Sequence, residues 1–362
     1  KRKKLVLQIM LEYKYINESQ YNSALSTPLP FKDLNYNNSL APYFSEYIRR
    51  DLMNLEDSLN INIYEDGLNV KTTLDYKLQE ILETAFNNTM KKNQRIFNSD
   101  LLDDKKKISS LSKSFNIQED SLIKILENDT LIIPKEFRSK LLVQGAAIIL
   151  DSEHGHVLAM VGGRNEPEYL DFFNRSTQAK RQPGSVFKPF IYLTALEQGY
   201  SSCKQLMNQP LVFFLDDTTR WNPQNHDSSV GGLTSLRDGL RRSLNLISVR
   251  IVQELISPMQ VRSTALRFGL SKPIKAVDAI ALGVTEVYPI EIASAYNAIS
   301  NNGILNSPLS IVSISDNEGR ELEQFFSNSS EVANENDIFL IRDLMKSVVD
   351  NGTGGSIRWK YK

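Results

Sequence analysis

The spacing of apolar residues changes along this chain, and each change marks a new element. Leu5, Ile9 and Met10 fall on one helical face, and Asn17 with Gln20 makes a capping-box pattern, so residues 1–25 read as two helices. Two prolines in "STPLPF" (26–31) end the pattern and begin an Asn-rich linker to about Pro42. Residues 59–75 alternate: Ile61 and Ile63, a turn at Asp66-Gly67, then Leu68, Val70 and Thr72, which predicts a β-hairpin. Asp75 is placed to cap a helix with an apolar face of Leu78, Ile81, Leu82, Ala85 and Phe86. Residues 94–140 are polar and rich in Lys and Ser, with one short helical stretch at 119–127, and read as an insertion. "QGAAIILDSEHGHVLAMVGG" (144–163) predicts a second hairpin, too apolar to face water on either side. From 183 onward the pattern is mainly helical. Helices are expected at 235–255 behind Ser235 and Asp238, at 289–302 between Pro289 and Gly303, and at 337–350 before "DNGTGGS". Strands followed by a helical block predict an α+β fold.

Composition narrows the classes. The 362 residues are enough for two or three domains. Forty-two basic and 43 acidic side chains leave a net charge of −1, which argues against a nucleic-acid binder. The single Cys203 excludes an internal disulfide and reads as a buried structural thiol. With only three histidines beside it, a Cys/His zinc site is not expected. His154 and His156 flank a turn glycine and read as solvated, and His226 sits in a polar loop that can edge a cleft. Trp221 reads equally as groove lining or packing. No apolar run approaches the roughly 18–20 residues of a membrane span. The basic start, Lys1 to Lys4, reads as a solvated face, and the abrupt beginning reads as a fragment with chain upstream.

The chemistry concentrates in "QAKRQPGSVFKPFIYLTALEQGY" (178–200). Pro183-Gly184 makes a sharp entry, and Ser185 and Lys188 stand three apart at the head of an apolar helix, on one face. A serine needs a base to become a nucleophile, and a lysine whose pKa is depressed by an apolar wall can serve. A helix N-terminus also favours negative charge developing on the serine oxygen. Alone, Ser-x-x-Lys is common and weak. Ser243-Leu244-Asn245 adds a hydroxyl and a carboxamide two residues apart, able to face the same cleft from a loop or short turn, while inside a helix the same run reads equally as surface polar filler.

Together these residues resemble the first two of three motifs of penicillin-binding proteins and serine β-lactamases. The flanks "FNRSTQAKRQPGSVFKPFIYLTALEQGY", "WNPQNHD", "LTSLRDGLRRSLNL" and "LGVTEVYPIEIASAYNAISNNGI" are similar to the transpeptidase domain of class A (bifunctional) penicillin-binding proteins. "LVLQIMLEYKYINESQYNSAL" resembles the tail of their glycosyltransferase domain, and "APYFSEYIRRDL" and "VKTTLDYKLQ" the junction that follows. The expected division is 1–42 (glycosyltransferase tail and linker), 43–140 (junction with insertion) and 141–362 (transpeptidase domain). The family's third motif, Lys-Thr-Gly, is not found: the one Lys-Thr, at Lys71-Thr72, lies in the early hairpin. Truncation is the expected cause, with a fragment that is marginally stable, binds β-lactams poorly and has no glycosyltransferase activity of its own.

The resemblance implies a penicillin-binding-protein/β-lactamase-like α+β fold, an antiparallel sheet with a helical block, that performs D,D-transpeptidation without metal or organic cofactor. It makes Ser185 the acyl-forming nucleophile, Lys188 its base, Ser243 a proton relay and Asn245 the holder of the donor peptide. Implied partners are peptidoglycan stem peptides and glycan strands, β-lactams and other cell-wall synthesis proteins, but not nucleic acid. The implied place is the extracytoplasmic, periplasmic face of the inner membrane, reached through an upstream anchor. Two other readings stand beside it: a hydrolase on the same serine, either carboxypeptidase or β-lactamase, and a non-catalytic cell-wall scaffold. A β-lactamase needs a deacylating carboxylate, a role in which Glu286 cannot be placed.

Overall fold

The computed structural model describes residues 2–27, 40–128, 130, 132–164, 173–214 and 220–360. The chain forms two compact units, Lys1–Pro42 and Tyr43–Lys362. The first holds the helices Arg2–Glu12 and Glu18–Ser26, packed on each other. Asn17 caps the second through the reciprocal Asn17/Gln20 box read from the sequence. Most of the expected linker, 28–39, lies outside the described residues.

In the second unit the apolar hairpin forms as expected. Strand Ala147–Leu150 pairs antiparallel with Val157–Val161. Helix Tyr76–Asp103 covers the second strand and helix Pro289–Ser300 the first, which is why neither strand alternates. Asp75 caps the long helix at Leu78 N, and of the expected apolar face Phe86 and Leu82 turn inward while Ile81 and Ala85 do not. Ile81 is exposed, whereas Gln79, Phe86, Met90, Gln94 and Asn98 are buried. The reason is hydrogen bonding. Gln79 donates to Met160 O (3.0 Å) and accepts from Met160 N (2.8 Å), standing in for a missing neighbour strand.

The hairpin expected at 59–75 does not form. Asn62 and Asp66 close a local turn, in which Asn62 N donates to Asp66 Oδ2 (2.6 Å) and Tyr64 N to Asn62 Oδ1 (3.0 Å). Only Asn69–Thr72 is a strand, and its partner is Ile311–Ser315, some 240 residues later, which also pairs with Glu321–Gln324. Residues 94–140 are likewise more than a polar insertion. Helices Lys105–Phe115 and Glu119–Leu126 join the end of the long helix around a core of Leu101, Ile108, Leu122, Ile133, Phe137 and Leu141. The polar composition hid this core because its buried amides serve backbone groups. Gln94 donates to Leu141 O (2.8 Å) and Asn98 to Leu126 O (2.9 Å).

The helical block is built around Lys188–Glu197. Every residue from Lys188 to Leu196 is buried, so this helix runs through the core and has no solvent face. Leu236–Arg241, Asn245–Arg250, Pro258–Arg267 and Glu335–Asn351 pack against it. The single helix expected at 235–255 is broken: Ser235 caps Leu236–Arg241, the chain turns at 242–244, and a new helix starts at Asn245. Pro289 opens Pro289–Ser300, and Gly303 follows its end at φ +90°, where a Cβ would lie 2.1 Å from Ala333 O. The named strands all pair antiparallel, and the architecture is α+β. Among the described residues, no helix is long and apolar enough to cross a membrane.

Candidate active site

Ser185 does not sit in the α-helix proper. Residues Gly184–Phe187 form a 3-10 turn, and the α-helix begins at Lys188 with Pro189 in its first turn. A 3-10 turn eclipses positions three apart, so Ser185 and Lys188 still point the same way. Two contacts hold the turn in place. Gly184 N donates to Gly283 O (3.2 Å), and Tyr296 Oη donates to Val186 O (2.7 Å). Gly283 has φ +67°, and a Cβ there would stand 2.2 Å from Gly184 O, so the backbone approach demands glycine.

Ser243 arrives from the break between two helices. Helix Leu236–Arg241 ends in a Schellman motif: Ser243 N donates to Leu240 O (2.9 Å) and Leu244 N to Gly239 O (2.8 Å). Ser243 therefore holds the left-handed position, φ +55°, which glycine ordinarily fills. That turn aims its hydroxyl at Ser185, Oγ to Oγ 3.1 Å. Asn245, two residues on, opens the next helix and turns its amide toward the lysine.

Lys188 is 1% exposed. Its Nζ donates to Ser243 O (2.6 Å), Ser243 Oγ (3.1 Å) and Asn245 Oδ1 (2.9 Å). Three acceptors favour the ammonium, but desolvation opposes it more strongly, and burial lowers the pKa from 10.5 to about 8. Among the described residues, Ser185 Oγ has one side-chain hydrogen-bond partner, Ser243 Oγ. The expected direct pairing of Lys188 with Ser185 is thus replaced by a line of three groups, Ser185–Ser243–Lys188. The physical reason is that the lysine, buried under its own helix, reaches the carbonyl and hydroxyl of the left-handed turn first.

All four residues singled out from the sequence meet here. Ser185, Ser243 and Asn245 line a cleft of about 620 Å³ with His226, Arg242 and Thr353. An adjoining hollow of about 300 Å³ is lined by Lys188, Pro189 and Tyr296. His226 does edge the cleft. Trp221 packs on Phe213 at 4.8 Å between ring centroids and is not among the residues lining the cleft. Cys203, read as buried, is exposed, because it lies in the turn after the core helix. Glu286 lines a separate hollow with Lys180 and Lys275.

Three supports of the site carry no chemical motif in the sequence: Gly283, Tyr296, and the loop 221–227. In that loop Gln224 O accepts from Asn245 Nδ2 (2.8 Å), and Asn225 Oδ1 accepts from Leu246 N (3.0 Å). Two asparagines around a proline in "WNPQNHD" were the available signal.

Residues 145–361 match the penicillin binding protein transpeptidase domain. Penicillin-binding protein 1A of Aquifex aeolicus is 26% identical over 97% of this chain and 53% of its own length. Penicillin-binding protein 1A of Neisseria flavescens is 35% identical over 59% of this chain and 27% of its own. The chain thus spans about half of the first relative, or less. A solved penicillin-binding protein 1A from Haemophilus influenzae superposes with a TM-score of 0.69 at 21% identity, covering 99% of this chain and 66% of that one. The penicillin-binding protein PonA1 of Mycobacterium tuberculosis, solved with penicillin V, superposes at 0.57 and 20% identity over 84% of this chain and 71% of its own. These structural likenesses establish the fold.

Proposed function

The chain belongs to the penicillin-binding protein transpeptidase family, and from that premise we propose that it carries the acyl-transfer site of a peptidoglycan D,D-transpeptidase. The observation that carries this reading is the unbroken line from Ser185 Oγ through Ser243 Oγ to a buried amine, each step 3.1 Å. Ser185 Oγ attacks the carbonyl of the penultimate D-Ala of a stem peptide. Its proton passes to Ser243, whose own proton passes to neutral Lys188 Nζ. The tetrahedral adduct expels the terminal D-Ala, whose nitrogen takes a proton back through Ser243, and an ester remains on Ser185. An amine of a neighbouring stem peptide then attacks that ester, loses its proton along the same line and frees the serine with a cross-link made. Asn245 holds the donor peptide at the mouth of the cleft with the second hydrogen of its Nδ2.

β-Lactams enter as mimics of the D-Ala-D-Ala end and stall as esters, as the penicillin complex of PonA1 encourages. The whole protein is expected at the extracytoplasmic face of the inner membrane, acting on glycan strands with other cell-wall synthesis proteins. A glycosyltransferase activity is proposed for the whole protein and not for this chain. The test is intact mass of the full-length protein after exposure to benzylpenicillin, with Ser185→Ala beside the wild type. A single drug-sized adduct that the variant lacks supports the reading. An unmodified, folded wild-type protein refutes it.

A further inference from the structure

Asn245 must present its amide oxygen, not its nitrogen, to the Lys188 amine, since an amide nitrogen facing an ammonium would repel it. Nothing within Asn245 chooses between the two orientations. The choice is made by Gln224 O, which takes the Nδ2 hydrogen at 2.8 Å and so leaves Oδ1 for Lys188 at 2.9 Å. A carbonyl on an exposed polar loop fixes an orientation only if the loop itself is fixed.

We propose that Asn225 is a positioning residue for this site, pinning the loop so that Gln224 locks the Asn245 amide toward Lys188. The inference rests on the acyl-serine reading above. Asn225 is 5% exposed in a loop whose neighbours Gln224 and His226 are exposed. Its oxygen accepts from Leu246 N (3.0 Å), one of the amides a helix leaves free in its first turn. Its nitrogen donates to Asn208 Oδ1 (2.8 Å) and Ser229 O (2.7 Å). Asn208 is itself 2% exposed and held by its backbone, donating to Gly232 O (3.0 Å) and accepting from Gly231 N (2.6 Å). One side chain therefore ties three segments together: the strand end at Asn208, the loop 221–229 and the start of the helix that carries Asn245. Buried amides satisfied at every position define one geometry, because any slip leaves polar atoms unpaired. A bulkier or acidic residue in place of Asn225 fails on these terms. A carboxylate there faces the Asn208 and Ser229 oxygens.

Among the described residues around the amine, one other titratable group shares its hollow: Tyr296, from helix Pro289–Ser300, whose pKa burial pushes well above its usual value. Helix Glu335–Asn351 offers that hollow only Met345, Val348 and Val349, and Leu240 comes from the helix before Ser243. Charged groups in the adjoining cleft are Arg241, Arg242 and Asp227, with His226 titratable beside them. The pH midpoint of acylation thus reports on the acceptors at Lys188.

The experiment measures the benzylpenicillin acylation rate against pH for the wild-type protein, Asn225→Ala, Asn245→Ala and the double variant. Losing one acceptor destabilises the ammonium, so each single variant is expected to lower the midpoint by roughly one pH unit. If Asn225 acts through Asn245, the double variant moves no further. Asn208→Ser, which loosens Asn225, gives a smaller shift the same way and carries the test should Asn225→Ala not fold. A lower plateau with an unmoved midpoint, or additive shifts, overturns the inference alone. Absence of a Ser185-dependent adduct in the wild type removes the acyl-serine reading with it.

Discussion

At Ser243 the backbone and the proposed chemistry ask for different residues. The Schellman turn places this residue at φ +55°, where an L side chain costs roughly 1–2 kcal/mol. The hydroxyl is nevertheless needed to span Ser185 and Lys188, at 3.1 Å to each. Comparing Ser243→Ala with Ser243→Gly separates these demands. Both variants lose the same hydroxyl and the same two contacts, so that term cancels between them. At an ordinary position alanine is favoured over glycine by about 0.5–1 kcal/mol through unfolded-state entropy. At Ser243 the relief of the left-handed strain outweighs that, and the glycine variant is expected to be the more stable by about 1 kcal/mol. In thermal unfolding that corresponds to roughly 2 °C for a unit of this size. Both variants are expected to lose acylation by benzylpenicillin about 100-fold or more, as for removal of a group that moves a proton. An alanine variant as stable as the glycine variant refutes the strained turn. Acylation near the wild-type rate in either variant refutes the relay.

Three further expectations follow from the same geometry. The acylation rate of the wild-type protein should climb about tenfold per pH unit below about 8 and level off above it, because the reactive form is the neutral Lys188 amine; a profile without that break contradicts a titrating base. The stability sign is fixed by the same shift. With a folded pKa near 8 against 10.5, the unfolded chain binds more protons between those values, so this group raises stability as pH rises through that window. Below it the protein carries the full cost of a buried ammonium, about 3 kcal/mol, which chemical denaturation at paired pH values would show as a smaller free energy of unfolding at the lower pH once other groups are matched by a Lys188→Met variant. Gly283→Ala places a methyl 2.2 Å from Gly184 O at a φ of +67°, so it should displace the Ser185 turn, cost about 3 kcal/mol or more and abolish the penicillin adduct. An unchanged melting curve and adduct would show that the backbones are not so closely apposed.

The sequence by itself determined the local chemistry and the strongly periodic elements. Asn17 and Gln20, Asp75, Ser235 and Pro289 mark helix starts by hydrogen-bonding or steric preferences that act within four residues, and the structure has helices beginning at each. The apolar hairpin at 144–163 and the four residues Ser185, Lys188, Ser243 and Asn245 were legible for the same reason: run and spacing are local properties. Tertiary structure decided whatever depends on a distant partner. Val70 had apolar neighbours in its own segment, yet its strand pairs with Ile311–Ser315, since a local Asn62–Asp66 turn closes off the nearer choice. Gln79, Gln94 and Asn98 look like solvent-facing positions until the carbonyls they serve are brought beside them from 28 to 81 residues away. The same holds at the site. A Ser-x-x-Lys pair suggests direct contact, but where the lysine's hydrogens go depended on which acceptors a turn 55 residues later brought closest. Burial of that amine, and so its pKa, came from the helices packed around its own, because desolvation belongs to the whole core and to no segment of it.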